Sequence, residues 1–129
     1  MSLYNETVME HFLNPKNVGV ISNANCIGES GSNTCNDVVR IYLDIKNDLI
    51  RDAKFETFGC TIAIASSSVI TELVIGKNVN EVLNFKIENI IDALGGIPEE
   101  KIGCANLVLD SLKLGLEDYY KNKKEEIKC

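Results

Sequence analysis

The sequence predicts an α+β fold, in which helices pack on one face of a small antiparallel sheet. Two observations carry this prediction. The clear strand patterns lie together in residues 39–58, where they read as one hairpin, and helical patterns fill the chain from residue 61 onward. Strands followed by helices are typical of α+β domains, whereas α/β domains alternate the two. The 129 residues suit one domain with one hydrophobic core.

The N-terminal part of the chain predicts a short helix and then a long loop. Apolar side chains recur at helical spacing over residues 3–12, and Pro15 ends this helix because the residue before a proline is pushed out of helical geometry. Residues 17–36 are rich in Asn, Gly and Ser, which is typical of a loop. We expect at most one short edge strand there, around residues 26–28.

The hairpin has the clearest local pattern in the chain. Its first strand alternates apolar and polar residues, as a half-buried strand does, and the apolar set is Val39, Ile41, Leu43 and Ile45. Asn47 and Asp48 supply a tight turn. A second strand is predicted over residues 49–58, antiparallel to the first.

Two helical regions follow the hairpin. Residues 61–75 contain a single charge, at Glu72, and predict a buried helix that ends at the capping glycine Gly76. Its many β-branched residues leave a strand as the alternative. Residues 80–85 and 86–94 predict two short helices.

The last helix is predicted from Cys104 to Lys121. Apolar residues recur along its core face at Leu109, Leu112, Leu116 and Tyr119. Residues 122–129 carry mostly charged side chains, and we expect a mobile tail there. The whole chain, residues 1–129, is therefore interpreted as a single domain.

Charge and hydropathy exclude two classes of partner. The chain has 13 Lys plus Arg against 19 Asp plus Glu, a formal net charge of −6, whereas nucleic-acid binding needs a basic face. No apolar run approaches the roughly 20 residues that span a bilayer. The first residues resemble neither a secretory signal nor an Arg-rich transit peptide. We therefore expect no nucleic acid, no membrane and a cytoplasmic location.

Five cysteines occur at wide spacing, at positions 26, 35, 60, 104 and 129. An odd number of cysteines and a reducing compartment argue against a disulfide framework and favour metal binding or thiol chemistry. No Cys-x-x-Cys pair is present, so zinc-finger and thioredoxin patterns fail. Because free cysteines often only fill a core, simple packing is an equal alternative from position alone.

Three of the cysteines occupy positions that suit a thiolate site. Cys35 and Asp37 lie two residues apart before a strand, and in an extended chain such residues point to the same side. Cys60 and Cys104 fall at the starts of predicted helices, where the partial positive charge of the helix favours thiolate over thiol. These positions suit a thiolate metal site, with packing in the core as the equal alternative.

The remaining candidates fit the site less well. His11 is the only histidine and is predicted to be structural, because it lies far along the chain from the cysteines. Cys26 is interpreted as a loop residue that could at most approach the site as a spare thiol, and Cys129 as a free thiol in the tail. No nucleophile, base and orienting group occur together, so we predict that the chain is not an enzyme.

Four local motifs, in order along the chain, resemble one family. They are HFLNPKNVG at 11–19, CND at 35–37, FGC followed by AIASSS at 58–68, and IPEEKIGC at 97–104. They are similar to the motifs of the U-type iron–sulfur cluster scaffold family, which is related to the N-terminal domain of nitrogen-fixation scaffolds. The resemblance covers nearly the whole chain.

The resemblance implies a fold, a site and a function. It implies a three-stranded antiparallel sheet, with Cys35, Cys60 and Cys104 as thiolate ligands and Asp37 as the nearby carboxylate. The function it implies is de novo iron–sulfur cluster assembly, with sulfur from a cysteine desulfurase and transfer of the cluster to apo-acceptor proteins. It suggests Cys104 as the persulfide acceptor. The expected cargo is a 2Fe-2S cluster, with 4Fe-4S as the alternative.

The competing interpretation is a zinc-bearing sulfur acceptor that stimulates a cysteine desulfurase, with zinc in the cluster-free form. The sequence also departs from the family pattern. Gly103 stands where the family usually has His, and Asn36 stands where it has Gly. The segment 97–101 is a degraded form of the family's Leu-Pro-Pro-Val-Lys motif, which weakens the expectation of an Hsp70-type chaperone partner.

Overall fold

The computed structural model describes residues 4–31 and 36–128, with side chains as far as Lys123. Each helix or strand appears close to where the sequence predicts one. The order is α1 (Glu6–Leu13), β1 (Cys26–Gly31), β2 (Val38–Lys46), β3 (Leu49–Phe58), α2 (Thr61–Val74), α3 (Val79–Leu83), α4 (Ile87–Ala93), a 3₁₀ turn (Glu99–Lys101) and α5 (Ile102–Lys128).

The three strands form one antiparallel sheet in the order β1-β2-β3, and helices pack against it. The α+β prediction is therefore confirmed, as is the three-stranded sheet that the family resemblance implies. Asn47 and Asp48 join β2 to β3, and their φ angles are 53° and 63°. A two-residue turn with both residues left-handed is the type I′ turn, whose twist matches that of the strands it joins.

Strand β1 is longer than the sequence indicates. It spans Cys26–Gly31 and pairs with β2 along its whole length, whereas its composition predicts a loop with a strand around residues 26–28. Gly28, one of the residues that give this segment the composition of a loop, is a close-packing residue, because a β carbon there would lie 1.8 Å from the carbonyl oxygen of Ser111 in α5. The glycine leaves room for the backbone of α5 to pack against the strand. In the sequence, a glycine at this position instead suggests a loop.

The core lies between the sheet and the helices α2 and α5. Ten of the fourteen residues of α2 are buried, which settles this segment as a buried helix and not the alternative strand. Four of the ten are hydroxyl residues, and such small side chains allow close packing. Gly76 follows the helix with φ 87°, the left-handed geometry of a C-terminal capping glycine, as predicted.

Helix α5 runs to Lys128, beyond the predicted end near Lys121. Residues 121–128 are mostly Lys and Glu, which favour helices, and the charges that suggest a tail are compatible with a solvated helix end. Among the residues that the structure describes, no helix combines the length and the apolar character needed to cross a bilayer.

Candidate metal centre

The candidate site lies at the end of the sheet where β2 begins and β3 ends. Val38 and Phe58 are partners in the antiparallel register. Asp37 precedes the first of them and Gly59 follows the second, so the hairpin brings these two residues together. Cys60 comes next and is the N-terminal cap of α2, with an extended backbone. The register of the hairpin therefore places Asp37 next to the start of α2.

Cys104 reaches the same place from α5. This helix begins at Ile102, directly after the 3₁₀ turn, so Cys104 lies within its first turn. Helices α2 and α5 are in contact, and Ala105 and Val108 on α5 are fully buried. This packing brings the start of α5 to the start of α2, and the thiols of Cys60 and Cys104 are within hydrogen-bonding reach.

Three potential ligand atoms converge here. One carboxylate oxygen of Asp37 and the Sγ atoms of Cys60 and Cys104 all lie within 4.8 Å of one another. Thiolates bound to a shared tetrahedral zinc at about 2.3 Å are roughly 3.8 Å apart, so the observed spacing is close to that of an ion-sized gap. Cys35, the fourth predicted residue, lies outside the residues that the structure describes.

Burial differs among these donors. The side chain of Asp37 is buried, and Cys60 and Cys104 are half-buried free thiols. A half-buried thiol is shielded from bulk solvent yet accessible to an incoming group. Thiolates are soft ligands suited to iron and zinc, and the carboxylate is a harder oxygen donor.

The electrostatics of the cluster differ from the expectation based on helix ends. The pKa of the Cys104 thiol is raised to about 12, mainly by burial and also by its hydrogen bond with Cys60 and by the charges of Cys60 and Asp37, while Lys101 opposes them. A bound cation would lower the pKa of the Cys104 thiol, because it favours the charged form of each ligand.

Cys26 is not one of the residues whose potential ligand atoms converge. It lies in β1 opposite Leu43, is 1% exposed, and donates a hydrogen bond to Asn25 Oδ1 at 3.4 Å. Burial, followed by the charges of Asp118 and Asp44, raises its pKa to about 12. Cys26 is a core residue rather than the loop thiol that its surroundings in the sequence suggest.

His11 is not one of the converging donors either. Its Nδ1 is 2.7 Å from Ser68 Oγ, and its Nε2 is 3.6 Å from a carboxylate oxygen of Glu72. These contacts fasten α1 to α2, which is the structural role that its position predicts. Cys129 lies outside the described residues, so its prediction as a free thiol is not addressed.

Gly59 belongs to the site, a role that its place in the FGC motif does not by itself reveal. Its α carbon lies against the carboxylate of Asp37, so closely that a β carbon would be 2.8 Å from Asp37 Oδ1. The available signal was its place between a strand and a cysteine that caps a helix. That signal becomes informative only when the register of the hairpin is known.

Comparisons with known proteins agree on one family. The family model described as "NifU-like N terminal domain" matches residues 3–126. The iron-sulfur cluster assembly scaffold protein IscU of Aquifex aeolicus (strain VF5) is 46% identical over 118 residues, which make up 90% of this chain and 75% of that protein. The scaffold protein IscU 1 of Archaeoglobus fulgidus is 42% identical over 119 residues, or 92% of this chain and 78% of that protein.

A solved structure shows the same architecture. It is the crystal structure of a protein from Fervidobacterium islandicum AW-1, assigned provisionally as an iron-sulfur cluster assembly scaffold for the SUF system. The two proteins align with a TM-score of 0.74 and 28% sequence identity, covering 88% of this chain and 96% of that chain. The likeness therefore extends over nearly the whole fold.

Proposed function

The chain belongs to the NifU-like N-terminal domain family, and on that basis we propose that it is a scaffold on which iron–sulfur clusters are assembled in the cytoplasm. It acts as a carrier of the cluster and not as an enzyme, and it passes the cluster to apo-acceptor proteins. The observation that carries this proposal is the convergence of Asp37, Cys60 and Cys104 within 4.8 Å, from three separate regions of the chain.

The ligands that we assign to the cluster are Cys35, Cys60, Cys104 and Asp37. Cysteine thiolates are the usual ligands of iron–sulfur clusters, and three of them with one carboxylate complete a set of four. Cys35 is included because it comes two residues before Asp37 in the sequence. The cargo we propose is a 2Fe-2S cluster, with 4Fe-4S as the alternative.

Reconstitution tests this assignment. Anaerobic incubation with ferrous iron and sulfide, followed by visible and Mössbauer spectroscopy, is expected to show a bound cluster in the wild type. Cys35→Ser, Cys60→Ser and Cys104→Ser are each expected to lose it. Cys26→Ser is the matched control and is expected to keep it, because Cys26 is buried in the core away from the donors. A wild type that forms no cluster would contradict the proposal.

Asp37 is proposed as the replaceable ligand. A scaffold must release its cluster, and a carboxylate is a harder donor than the three thiolates and binds iron of a cluster less well. An incoming acceptor thiol can therefore displace it first. Asp37→Ala is expected to assemble a cluster, with a sulfide or thiol ligand from solution in place of the carboxylate. It is expected to transfer the cluster more slowly to an apo-ferredoxin, because that sulfur ligand is displaced less readily. Equal transfer rates in the variant and the wild type would count against this role.

The sulfur donor that we propose is a cysteine desulfurase, with Cys104 as the acceptor. The Cys104 thiolate would attack the terminal sulfur of the donor's persulfide and form a new S–S bond. The S–S bond of the donor would break, with its electron pair leaving on the donor's thiolate. After reaction with a desulfurase and cysteine, peptide mass spectrometry should find the added sulfur on Cys104. Added sulfur on Cys60 alone would contradict the choice.

The second candidate function is a zinc-bearing sulfur acceptor that stimulates a cysteine desulfurase. The same donor atoms suit zinc, whose structural and catalytic sites combine thiolates with oxygen or nitrogen ligands in a tetrahedron. Metal analysis and the visible spectrum of anaerobically purified protein separate the two, since zinc has no redox states and no charge-transfer colour. A colourless protein with one zinc would favour this candidate.

We assign no Hsp70-type chaperone to the segment 97–101. Glu99 and Glu100 are exposed in the 3₁₀ turn that precedes α5, where the family motif has Pro and Val. Two charged side chains there make a poor substitute for an apolar recognition motif.

A further inference from the structure

Gly59 and Asp37 are in unusually close contact. A β carbon placed on Gly59 would lie 2.8 Å from both Cγ and Oδ1 of Asp37, and 3.2 Å from the β carbon of Ala63. Non-bonded carbon atoms are most favourable at about 3.5–4.0 Å, so this space cannot hold a methyl group without movement. The carboxylate of Asp37 therefore occupies the place of the side chain that Gly59 lacks.

The backbone does not explain why a glycine stands at this position. Glycine is needed where φ is positive, and the described glycines with positive φ are Gly19, Gly76, Gly95 and Gly96. Gly59 is not among them, so an alanine could adopt its backbone conformation. The requirement for glycine is steric, and its source is Asp37.

The group that would give way to a methyl is the carboxylate. Ala63 is fixed in the first turn of α2 and is fully buried, whereas the carboxylate is the tip of a side chain. Asp37 is itself only 4% exposed, so its carboxylate has little free space and would be displaced relative to the two thiols. A substitution at Gly59 would thus change the donor cluster while the fold remains.

We propose that Gly59 is a positioning residue for Asp37, whose carboxylate it holds within reach of a metal bound by Cys60 and Cys104. The inference rests on the proposed function, because it requires Asp37 to be a metal ligand. Residues that orient a ligand commonly change metal affinity by about 10- to 100-fold when they are replaced. We expect Gly59→Ala to weaken metal binding by a factor in this range.

Anaerobic titration of the full chain with Co²⁺ tests the proposal. Cobalt reports thiolate ligands through its near-ultraviolet charge-transfer band and coordination geometry through its visible d–d bands. Gly59→Ala is expected to keep the thiolate band and to show the d–d spectrum of Asp37→Ala. The double variant is expected to bind cobalt no more weakly than Asp37→Ala alone, since a residue that acts through Asp37 has no further effect once Asp37 is gone.

Gly103→Ala is the matched control. Gly103 also precedes one of the two cysteine donors, but apart from its chain neighbours and its own helix backbone a β carbon there would meet none of the described atoms within 4 Å. Its cobalt spectrum and affinity are expected to match those of the wild type. If Gly59→Ala fails to fold, the double variant decides the question: recovery of the stability of Asp37→Ala supports a clash with Asp37, and no recovery overturns it.

The possible outcomes distinguish a failure of the inference about Gly59 from a failure of the proposed function. A wild type that shows the thiolate band, together with an unchanged Gly59→Ala spectrum and affinity, would overturn the inference alone. Further weakening in the double variant beyond Asp37→Ala would also overturn it. A wild type without the thiolate band would overturn the proposed function, and the inference with it.

Discussion

Ser66 and Ser67 are neighbours in α2 and both are fully buried, but they differ in hydrogen bonding. Ser67 Oγ donates to the carbonyl oxygen of Ala63 at 2.8 Å and is 2.8 Å from Thr57 Oγ1. Ser66 Oγ has no hydrogen-bond partner among the described residues. A buried hydroxyl without a partner loses its hydrogen bonds to water, and no hydrogen bond within the protein replaces them. The two serines therefore contribute to stability with opposite signs.

Ser66→Ala is expected to raise the free energy of unfolding by about 1 kcal/mol, because it removes an unpaired polar group and introduces a better helix former. Ser67→Ala is expected to lower it by about 1 kcal/mol, because it leaves two hydrogen bonds unmade. Urea denaturation of both variants measures the difference. The interpretation fails if Ser66→Ala is as destabilising as Ser67→Ala.

Cys26 predicts a pH dependence. Its pKa is about 12 in the folded protein against an ordinary value of 9.0, so as the pH rises above 9 the thiol ionises first in the unfolded chain. Wild-type stability should then fall by up to about 1.4 kcal/mol per pH unit more than that of Cys26→Ala. Urea midpoints near pH 8 and near pH 10, compared between the two proteins, measure this; parallel declines would contradict it.

Single residues show where sequence reasoning succeeds and where it stops. Asn36 replaces a family glycine, and its φ of 58° is a left-handed angle that asparagine adopts more readily than most residues. That tolerance can be read from the residue type alone. The core position of Cys26 cannot, because it depends on which side of an edge strand faces α5.

At the scale of elements, the contact between β1 and α5 is the least tolerant part of the fold. A β carbon on Gly28 would lie 1.8 Å from Ser111 O and 2.5 Å from Gly115 N, and both are backbone atoms. Ser111 Oγ lies 2.7 Å from Ser30 Oγ and donates to the carbonyl oxygen of Val39 at 2.9 Å. Helix and strand thus meet backbone to backbone and are fastened by hydroxyl groups.

Gly28→Ala is expected to lower the free energy of unfolding by about 3 kcal/mol, because α5 has to move away from the sheet. Gly31→Ala is the control in the same strand, where a β carbon would be 3.5 Å from Asp37 O, the nearest of the described atoms beyond its chain neighbours, which is an ordinary contact. It is expected to change stability by no more than about 1 kcal/mol. Chemical denaturation checks both, and equal effects would refute the close-packing argument.

Elements that are specified locally could be predicted, and those specified by their partners could not. The alternation in β2 and the turn residues Asn47 and Asp48 are local, and the structure confirms the hairpin they predict. Strand β1 needs a glycine at position 28 because the backbone of α5 packs against it there. The composition of this segment alone predicts a loop. The end of α5 was predicted too early, because charged residues suit a solvated helix as well as a tail.

For the whole molecule, the candidate site is a product of folding and not of any one segment. Asp37, Cys60 and Cys104 come from the start of a strand, the cap of one helix and the first turn of another, and their ligand atoms meet within 4.8 Å. The family resemblance supplies these residues, but it gives neither their distances nor the contact of Gly59 with Asp37. Those depend on the strand register and on the packing of α2 against α5.

The convergence of these donors on one metal is tested most directly by X-ray absorption at the zinc edge, on anaerobically loaded protein with one zinc per chain. We predict three sulfur ligands at about 2.3 Å and one oxygen at about 2.0–2.2 Å in the wild type, with one sulfur fewer in each of the Cys35→Ser, Cys60→Ser and Cys104→Ser variants. A wild-type shell of nitrogen and oxygen alone, or an unchanged sulfur count in Cys60→Ser and Cys104→Ser, would contradict it.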